Sequence, residues 1–483
     1  MTQSIPEPLR GAPARAAALL TAALCLALLV LAPAASADYE QMPEHFGTSG
    51  EAAGQLKEST AIAVDSSGEG LPPGEAGSFY VVGGERRLLR YAPGSEGEEP
   101  EFREAWGWGV GSTAQQFQRC GPAYEGKADP TTEHTFETCV FASPGSGEEP
   151  GHFGALSGVA VDQATGYVYV LNVKNGVKQH HLIEVFTATG TYVGGFGDVG
   201  RETPAPAESI AEGPEKLHPR IGARVGAIAV DDAGTVYVND ADYETAPAPK
   251  QARVMSFEPC SAGEYDNYCY AGQEHDIVSA QYAQPFFRIA LASSDQLVTT
   301  NAELIRSYRL GEEHPVPLCS LSVSGQLQAM TANPDTGEIF YQTFSDRKVH
   351  RLGPCDPDTG NYEELQSAVK WAPLAKSMNA LAVNPTRSWG LLRPPGVLYG
   401  ADYENATGYV LAPAKGPSKA LTVSRGGSGS GTVTSSPAGI SCGSECEAEF
   451  LEGETVTLAA SATAGSTFSG WSGECASVSG NEC

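Results

Sequence analysis

The pentapeptide AIAVD stands at residues 61–65 and again at 227–231, with close variants GVAVD at 158–162, ALAVN at 380–384, RIALA at 288–292 and AMTAN at 329–333. In each, apolar residues alternate and then stop, mostly at Asp or Asn. Period-two alternation marks a strand, and an Asp or Asn followed by Gly turns the chain, because the side chain bonds its own backbone and Gly tolerates positive φ. The stretch GVAVDQATGYVYVLN, 158–172, shows the unit whole: strand, turn DQATG, second strand. A second apolar run follows the other copies too: FYVVG (79–83), VYVND (236–240), LVTTN (297–301), IFYQTF (339–344) and VLYGAD (397–402). A third run then appears as LLRYAP, LIEVFT, RVMSFEP, LIRSYRL, KVHRLGP and GYVLAP. The chain therefore has to fold as six successive small meanders whose connections vary in length while the strand order does not.

Repeats of about 40–50 residues, each with several short strands, are the pattern of β-propeller blades. The expected fold class is all-β, a six-bladed propeller followed by a small β module. The 483 residues suffice for one large β domain and a lesser one. The formal net charge is −28 with no basic stripe, so no nucleic-acid partner is expected.

The first three copies resemble NHL repeats. The lead-ins HFGTSGEAAGQL (45–56) and GHFGALS (151–157), the Asp at Asp65, Asp162 and Asp231, the second strands YVND (237–240) and YGAD (399–402), and the third strand RVMSF (253–257) carry the likeness. Copies four and five depart from it, with Ala292 and Ala332-Asn333 around the usual Asp. The resemblance spans roughly residues 45–415 and implies a fold, not a chemistry. The Pro/Lys-bearing stretch APAKGPSKA then reads as a linker at 416–420, and residues 421–483 resemble a divergent internalin-type B-repeat, through GSGTVTSSPAGISC, EGETVTL and FSGWSGEC around Trp471. That family adds a further strand after the cysteine segment, so this module is expected to be incomplete.

Residues 1–37 read as a secretory signal: Arg10 and Arg15, an apolar run from Ala16 to Leu31, then Ala35-Ser36-Ala37 as an A-x-A cleavage site. An uncleaved anchor is the other reading, and the run is short for one. Without Cys25, ten cysteines remain, and neighbours in sequence suggest the disulfides Cys120/Cys139, Cys260/Cys269, Cys319/Cys355, Cys442/Cys446 and Cys475/Cys483. A zinc site from the last four is the alternative. The expected location is secreted or cell-surface, with no membrane span after cleavage and cell-wall contact open to the C-terminal module.

In a propeller the first strand of each blade lines the axis. The residues just before those strands are Thr60, Ser157, Gly226, Phe287, Gln328 and Asn379, with no His, Asp, Glu or Cys among them. No catalytic residue, metal or cofactor is therefore assigned, although a lyase or lactonase site in the channel is the alternative function. Asp65, Asp162 and Asp231 are turn formers before they are calcium ligands. The adjacent pair His180-His181 would point to opposite faces of a strand, and GSGSG (427–431) lacks the Lys-Ser/Thr and helix of a phosphate loop. The long connections lie between strands two and three and between blades: 111–151, 198–223 and 240–251. Long loops on one face of a rigid scaffold are where binding usually resides. ADYE recurs at 241–244 and 401–404, so Asp240, Asp242, Tyr243, Glu244, Asp402, Tyr403 and Glu404 are the candidate contacts for a protein or glycan ligand, Tyr being favoured at interfaces. Asp240 and Asp402 also stand where the family closes a turn with Asp.

Overall fold

The computed structural model describes residues 38–50, 52–84, 86–111, 116–125, 133–135, 139, 151–173, 183–197, 227–243, 251–260, 268–271, 277–278, 288–301, 303–370, 378–443 and 446–483. The signal segment, His180-His181, the 198–223 insertion, Gly226, Glu244 and Phe287 lie outside them.

Each repeated meander closes its hydrogen bonds as one antiparallel sheet. The innermost strands, in chain order, are Ala61–Val64, Ala155–Val161, Ile228–Val230, Arg288–Ser293, Leu327–Ala332 and Met378–Asn384. Four of these six sheets have four strands. The first has six, because the insertion after Trp108 adds Phe117–Cys120 and Glu133–His134; the third has five. The innermost strand of each sheet lies beside that of the next, and Met378–Asn384 returns to Ala61–Val64. This closed sequence of neighbours is consistent with propeller blades. Among the described residues the helical content is one 3₁₀ turn, Pro122–Tyr124.

The sixth sheet takes its outer strand from the start of the described chain. Tyr39–Phe46 pairs antiparallel with Thr407–Pro413, Tyr39 facing Pro413 and Phe46 facing Gly408. The Phe-Gly at 46–47 that ends this strand repeats Phe196-Gly197, which ends the outer strand of sheet two. It covers a sheet edge that would otherwise offer unpaired N–H and C=O groups.

Aromatic residues fill the spaces between sheets. Phe79 of sheet one stacks on Tyr399 of sheet six at 4.2 Å, with Phe46 edge-on at 4.7 Å. Phe196 of sheet two stacks on Tyr268 of sheet three at 4.1 Å. Tyr39 packs edge-on to Phe340 of sheet five at 5.0 Å and donates its hydroxyl to the Gly396 carbonyl at 2.7 Å.

The turns after the innermost strands show why Asp and Asn recur there. Asp65 accepts the Gly68 N–H at 2.8 Å, Asp162 the Ala164 N–H at 2.8 Å, and Asp231 the N–H groups of Ala233 and Thr235 at 3.0 and 2.8 Å. Asn333 and Asn384 do the same toward Asp335 and Thr386. Sheet four departs for a physical reason: Ser293 pairs directly with Gln296, a two-residue hairpin with no room for that turn.

Burial raises the carboxyl pKa of both Asp65 and Asp162 above the usual 3.8, against the turn hydrogen bonds that lower it. A raised folded-state pKa means that the native state holds its proton more tightly, so stability falls as pH rises from the unfolded value through the folded one. Asp162→Asn keeps the acceptor for the Ala164 N–H and removes the buried charge, as Asn333 and Asn384 already do. Urea titrations at pH 4 and pH 7 should find this variant at least as stable as the parent at pH 7, its advantage shrinking at pH 4. Asp162→Ala should lose about 1 kcal/mol at pH 4 and less than that at pH 7, where the parent carries the buried charge.

All five local disulfides form as the spacing suggests: Cys120–Cys139, Cys260–Cys269, Cys319–Cys355, Cys442–Cys446 and Cys475–Cys483. The four C-terminal cysteines are thus disulfide sulfurs, not the thiolates that the zinc alternative needs. Disulfides persist in oxidising compartments, which fits an extracellular protein. Among the described residues no helix is long and apolar enough to cross a membrane.

The C-terminal segment forms two small sheets: Ser418–Thr422 with Glu447–Leu451, and Ser441–Cys442, Gly431–Ser436 and Thr457–Ala462. The expected linker at 416–420 is corrected here. Its last residues open a strand, with Lys419 opposite Phe450 and Ala420 opposite Glu449. Residues at the end of the sequence lie along Thr457–Ala462, Leu458 and Cys483 exchanging both backbone bonds at 2.7 and 2.9 Å.

Candidate functional site

The innermost strands surround a cavity of about 220 Å³. Their residues keep a trace of exposure, such as Ile62 at 7% and Ile228 at 6%, whereas the second-strand residues Val170, Val238 and Val298 have none. The wall is mostly aliphatic between its ends, with Thr331 of the strand Leu327–Ala332 among the lining residues. Ser66, Gln163 and Asp232 line one end, while Thr60, Arg288 and Asn379 line the other.

The Thr60 end is shaped by β-bulges. The pairing register slips between Leu156 and Gly158, between Leu327 and Ala329, and between Met378 and Ala380. The extra residues are Ser157, Gln328 and Asn379, three of the positions marked in the sequence as channel-facing. A bulged residue is left out of the ladder, so its carbonyl is free to serve another donor. Two of these carbonyls serve Arg288. Its Nε–H donates to Gln328 O at 3.2 Å and its Nη2 to Asn379 O at 3.3 Å. One guanidinium from sheet four thereby reaches the strands of sheets five and six. Its backbone N–H is bonded to Thr300 Oγ1 at 3.1 Å, which fixes where the strand begins. Burial in the channel pushes the Arg288 pKa down. Thr60 donates its hydroxyl to Leu156 O at 2.8 Å and is held between sheets one and two.

Arg288 corrects the reading that placed Phe287 at this position. The cation is one residue later, and a search for His, Asp, Glu and Cys passes over it. The signal was present as RIALA, the one copy whose strand opens on a charge.

In an antiparallel meander, the start of the first strand shares an end with the loop joining strands two and three. Met378 accordingly pairs with Asp402. The hairpin of Val236–Tyr243 and Gln251–Pro259 extends at this end as far as Tyr243 opposite Gln251, beyond Val238, which faces Ile228. That backbone carries Asp240, Asp242 and Tyr243. In the second ADYE, Tyr403 and Glu404 are exposed. Asp402 is not: it is fully buried and accepts the Glu404 and Asn405 N–H groups at 2.8 and 3.0 Å. Its place among exposed contact residues is withdrawn, and it is the turn former that the repeat pattern also allowed.

The opposite end is not uniformly short-looped. The connections 65–78 and 384–396 are both long and meet at the seam of sheets one and six. Arg387 donates to the Gly94 carbonyl at 2.7 and 3.2 Å. Trp389, fully buried, donates its indole N–H to Glu44 at 3.3 Å. Arg393 reaches Glu40 at 3.0 Å and the Pro413 carbonyl at 2.8 Å, and Leu391 packs against the C-terminal core that holds Val423, Ile440 and Phe450. This loop binds the exchanged strand, the last strand of its own sheet and the C-terminal module together, which gives it a structural reason to be long.

No protein-family model and no curated protein matches the chain. Among solved structures it is similar to a functionally unknown protein from Desulfotomaculum acetoxidans DSM 771, at 10% identity and a TM-score of 0.39, over 72% of this chain and 80% of that one.

Proposed function

We propose that the chain is a secreted, six-bladed, NHL-like β-propeller that binds a protein or glycan outside the cell through the face carrying its strand-two-to-three loops. In this reading residues 1–37 are removed on export, 38–415 form the ring, and 421–483 are an internalin-type repeat module that contacts the cell wall. The observation that carries the reading is the Tyr243–Gln251 pair, which lies at the same end of the meander as exposed Tyr403 and Glu404. Tyrosine offers a large amphipathic surface at low entropic cost, as hot-spot residues do. The alternative, a lyase or lactonase acting in the channel, draws support from Arg288, a cation able to stabilise developing negative charge.

The test is a binding screen of residues 38–483 against cell-wall glycans and secreted proteins, followed by Tyr243→Ala/Tyr403→Ala. The double variant should bind at least about tenfold more weakly with an unchanged unfolding midpoint. Unchanged affinity, together with loss of binding on substitution of Thr60, Gln328 and Asn379, would move the site into the channel.

A further inference from the structure

We infer that the loop face takes a neutral, β-linked glycan chain laid across sheets five and six, on an aromatic pair made by Phe344 and Tyr403. This rests on the loop-face reading and narrows it to one ligand class. Phe344 is 50% exposed and Tyr403 38%, whereas aromatic residues between the sheets, such as Phe79, Phe340 and Tyr399, are fully buried. Both exposed rings stand between strands two and three of their sheets, Phe344 after Ile339–Thr343 and Tyr403 after Val397–Asp402. The two loops are one turn built twice. Each leaves its strand at a buried residue, Thr343 or Asp402, presents the ring next, and returns through a residue of left-handed φ, Arg347 at 56° and Ala406 at 48°. Side chains close both turns. Asp346 accepts the Thr343 hydroxyl at 2.8 Å and the Lys348 N–H at 3.2 Å, while Asp402 accepts the Glu404 and Asn405 N–H groups. The Phe344 N–H is bonded to the Gln326 carbonyl at 2.8 Å. Rings on a backbone fixed in this way lose little freedom when a ligand arrives. The two sheets are neighbours, and Gln342 links the loops: its side chain accepts the Met378 N–H at 3.1 Å, and Met378 pairs with Asp402. The same turn on adjacent sheets repeats one contact, which suits a polymer with a repeating unit. A β-linked hexose chain is extended, and its rings present C–H groups to the negative face of an aromatic ring. Ser345, Asp346, Glu404 and Asn405 follow the rings in sequence and are the residue types that hydrogen-bond sugar hydroxyls. A protein partner would ask for a wider apolar centre than two rings in polar surroundings. The net charge of −28 disfavours polyanionic chains and leaves neutral ones.

Calorimetry on residues 38–483 with cellohexaose and with hexa-N-acetylchitohexaose tests this. Saturable binding of at least one is expected. The disaccharide of the same linkage, too short to engage both rings, should bind at least about tenfold more weakly. Phe344→Ala and Tyr403→Ala should each weaken the hexasaccharide about tenfold, with an unchanged unfolding midpoint because both side chains are exposed. If either variant does not fold, the comparison of hexasaccharide with disaccharide on the unaltered chain decides the matter. No saturable binding of either hexasaccharide at about 10 mM, equal binding of the disaccharide, or full retention in Phe344→Ala would overturn the inference. The loop-face reading fails separately. A secreted protein whose affinity drops in Tyr243→Ala/Tyr403→Ala, with no hexasaccharide bound, would overturn the glycan inference and leave that reading standing.

Discussion

Phe46→Ala is expected to destabilise the ring by about 3–5 kcal/mol, the usual loss when a buried Phe is cut back in a core that cannot collapse. Phe46 is 2% exposed and lies edge-on to Phe79, Tyr91 and Tyr399 at 4.7, 5.4 and 6.2 Å. Its strand is the outer strand of sheet six, while Phe79 and Tyr91 belong to sheet one. The side chain therefore fastens the beginning of the chain to two sheets at once. Gly408, opposite it, has no space to give: a Cβ there would stand 2.2 Å from the Phe46 ring. Gly408→Ala should therefore also lower stability, by about 1–3 kcal/mol through overpacking. Removing residues 38–47 should do more than either substitution, because it also uncovers Thr407–Pro413 as an edge. Guanidinium unfolding followed by tryptophan fluorescence measures all three. A midpoint that does not move for Phe46→Ala would show that the exchanged strand contributes little to closure.

Arg90→Met should cost about 3–5 kcal/mol, because it leaves the buried Glu104 without its cation and Glu75 with Arg103 alone. Arg90 is fully buried, with its Nε at 2.5 Å from Glu104 and its Nη1 at 2.5 Å from Glu75. Burial works against its charge, yet Glu104 and Glu75 outweigh burial and hold its pKa above the usual value. Tyr124 donates its hydroxyl to Glu104, and Arg103 reaches Glu75 at 2.8 Å. Glu75 belongs to the long loop 65–78, and Tyr124 to the 3₁₀ turn of the disulfide-bearing insertion. One cation thus anchors two excursions from sheet one. The triple change Arg90→Met/Glu75→Gln/Glu104→Gln should recover part of the loss, since it removes the stranded charges as well. No difference between single and triple variants in urea titration would mean that the carboxylates find water once Arg90 is gone.

Most of the sheets can be read from the sequence because five of the six innermost strands announce themselves twice, by alternation and by the Asp or Asn that turns them, sheet four being the exception. The outer strand at 39–46 is readable for a similar reason, since its Phe-Gly ending repeats at 196–197. What escapes is whatever a bulge or a tertiary contact decides. Bulges at Ser157, Gln328 and Asn379 add a residue that no periodicity shows, and those at Gln328 and Asn379 supply the carbonyls that hold Arg288. The burial of Asp402 depends on a turn that looks, in sequence, like any exposed ADYE. Lys419 and Ala420 read as linker because Pro and Lys surround them, whereas their strand is set by pairing with Glu447–Leu451, a partner about 30 residues away. The length of 384–396 looks like decoration until Trp389, Leu391 and Arg393 are seen to join three parts of the fold.

The binding face is tested most directly by hydrogen exchange on residues 38–483 with and without the glycan or protein that the screen identifies. Added protection is predicted at residues 240–251 and at 403–405, with the turns at 163–166 and 232–235 unchanged. Protection confined to 65–78, 384–396 or the C-terminal sheets, with the 240–251 and 403–405 loops exchanging as in the free chain, would contradict the account.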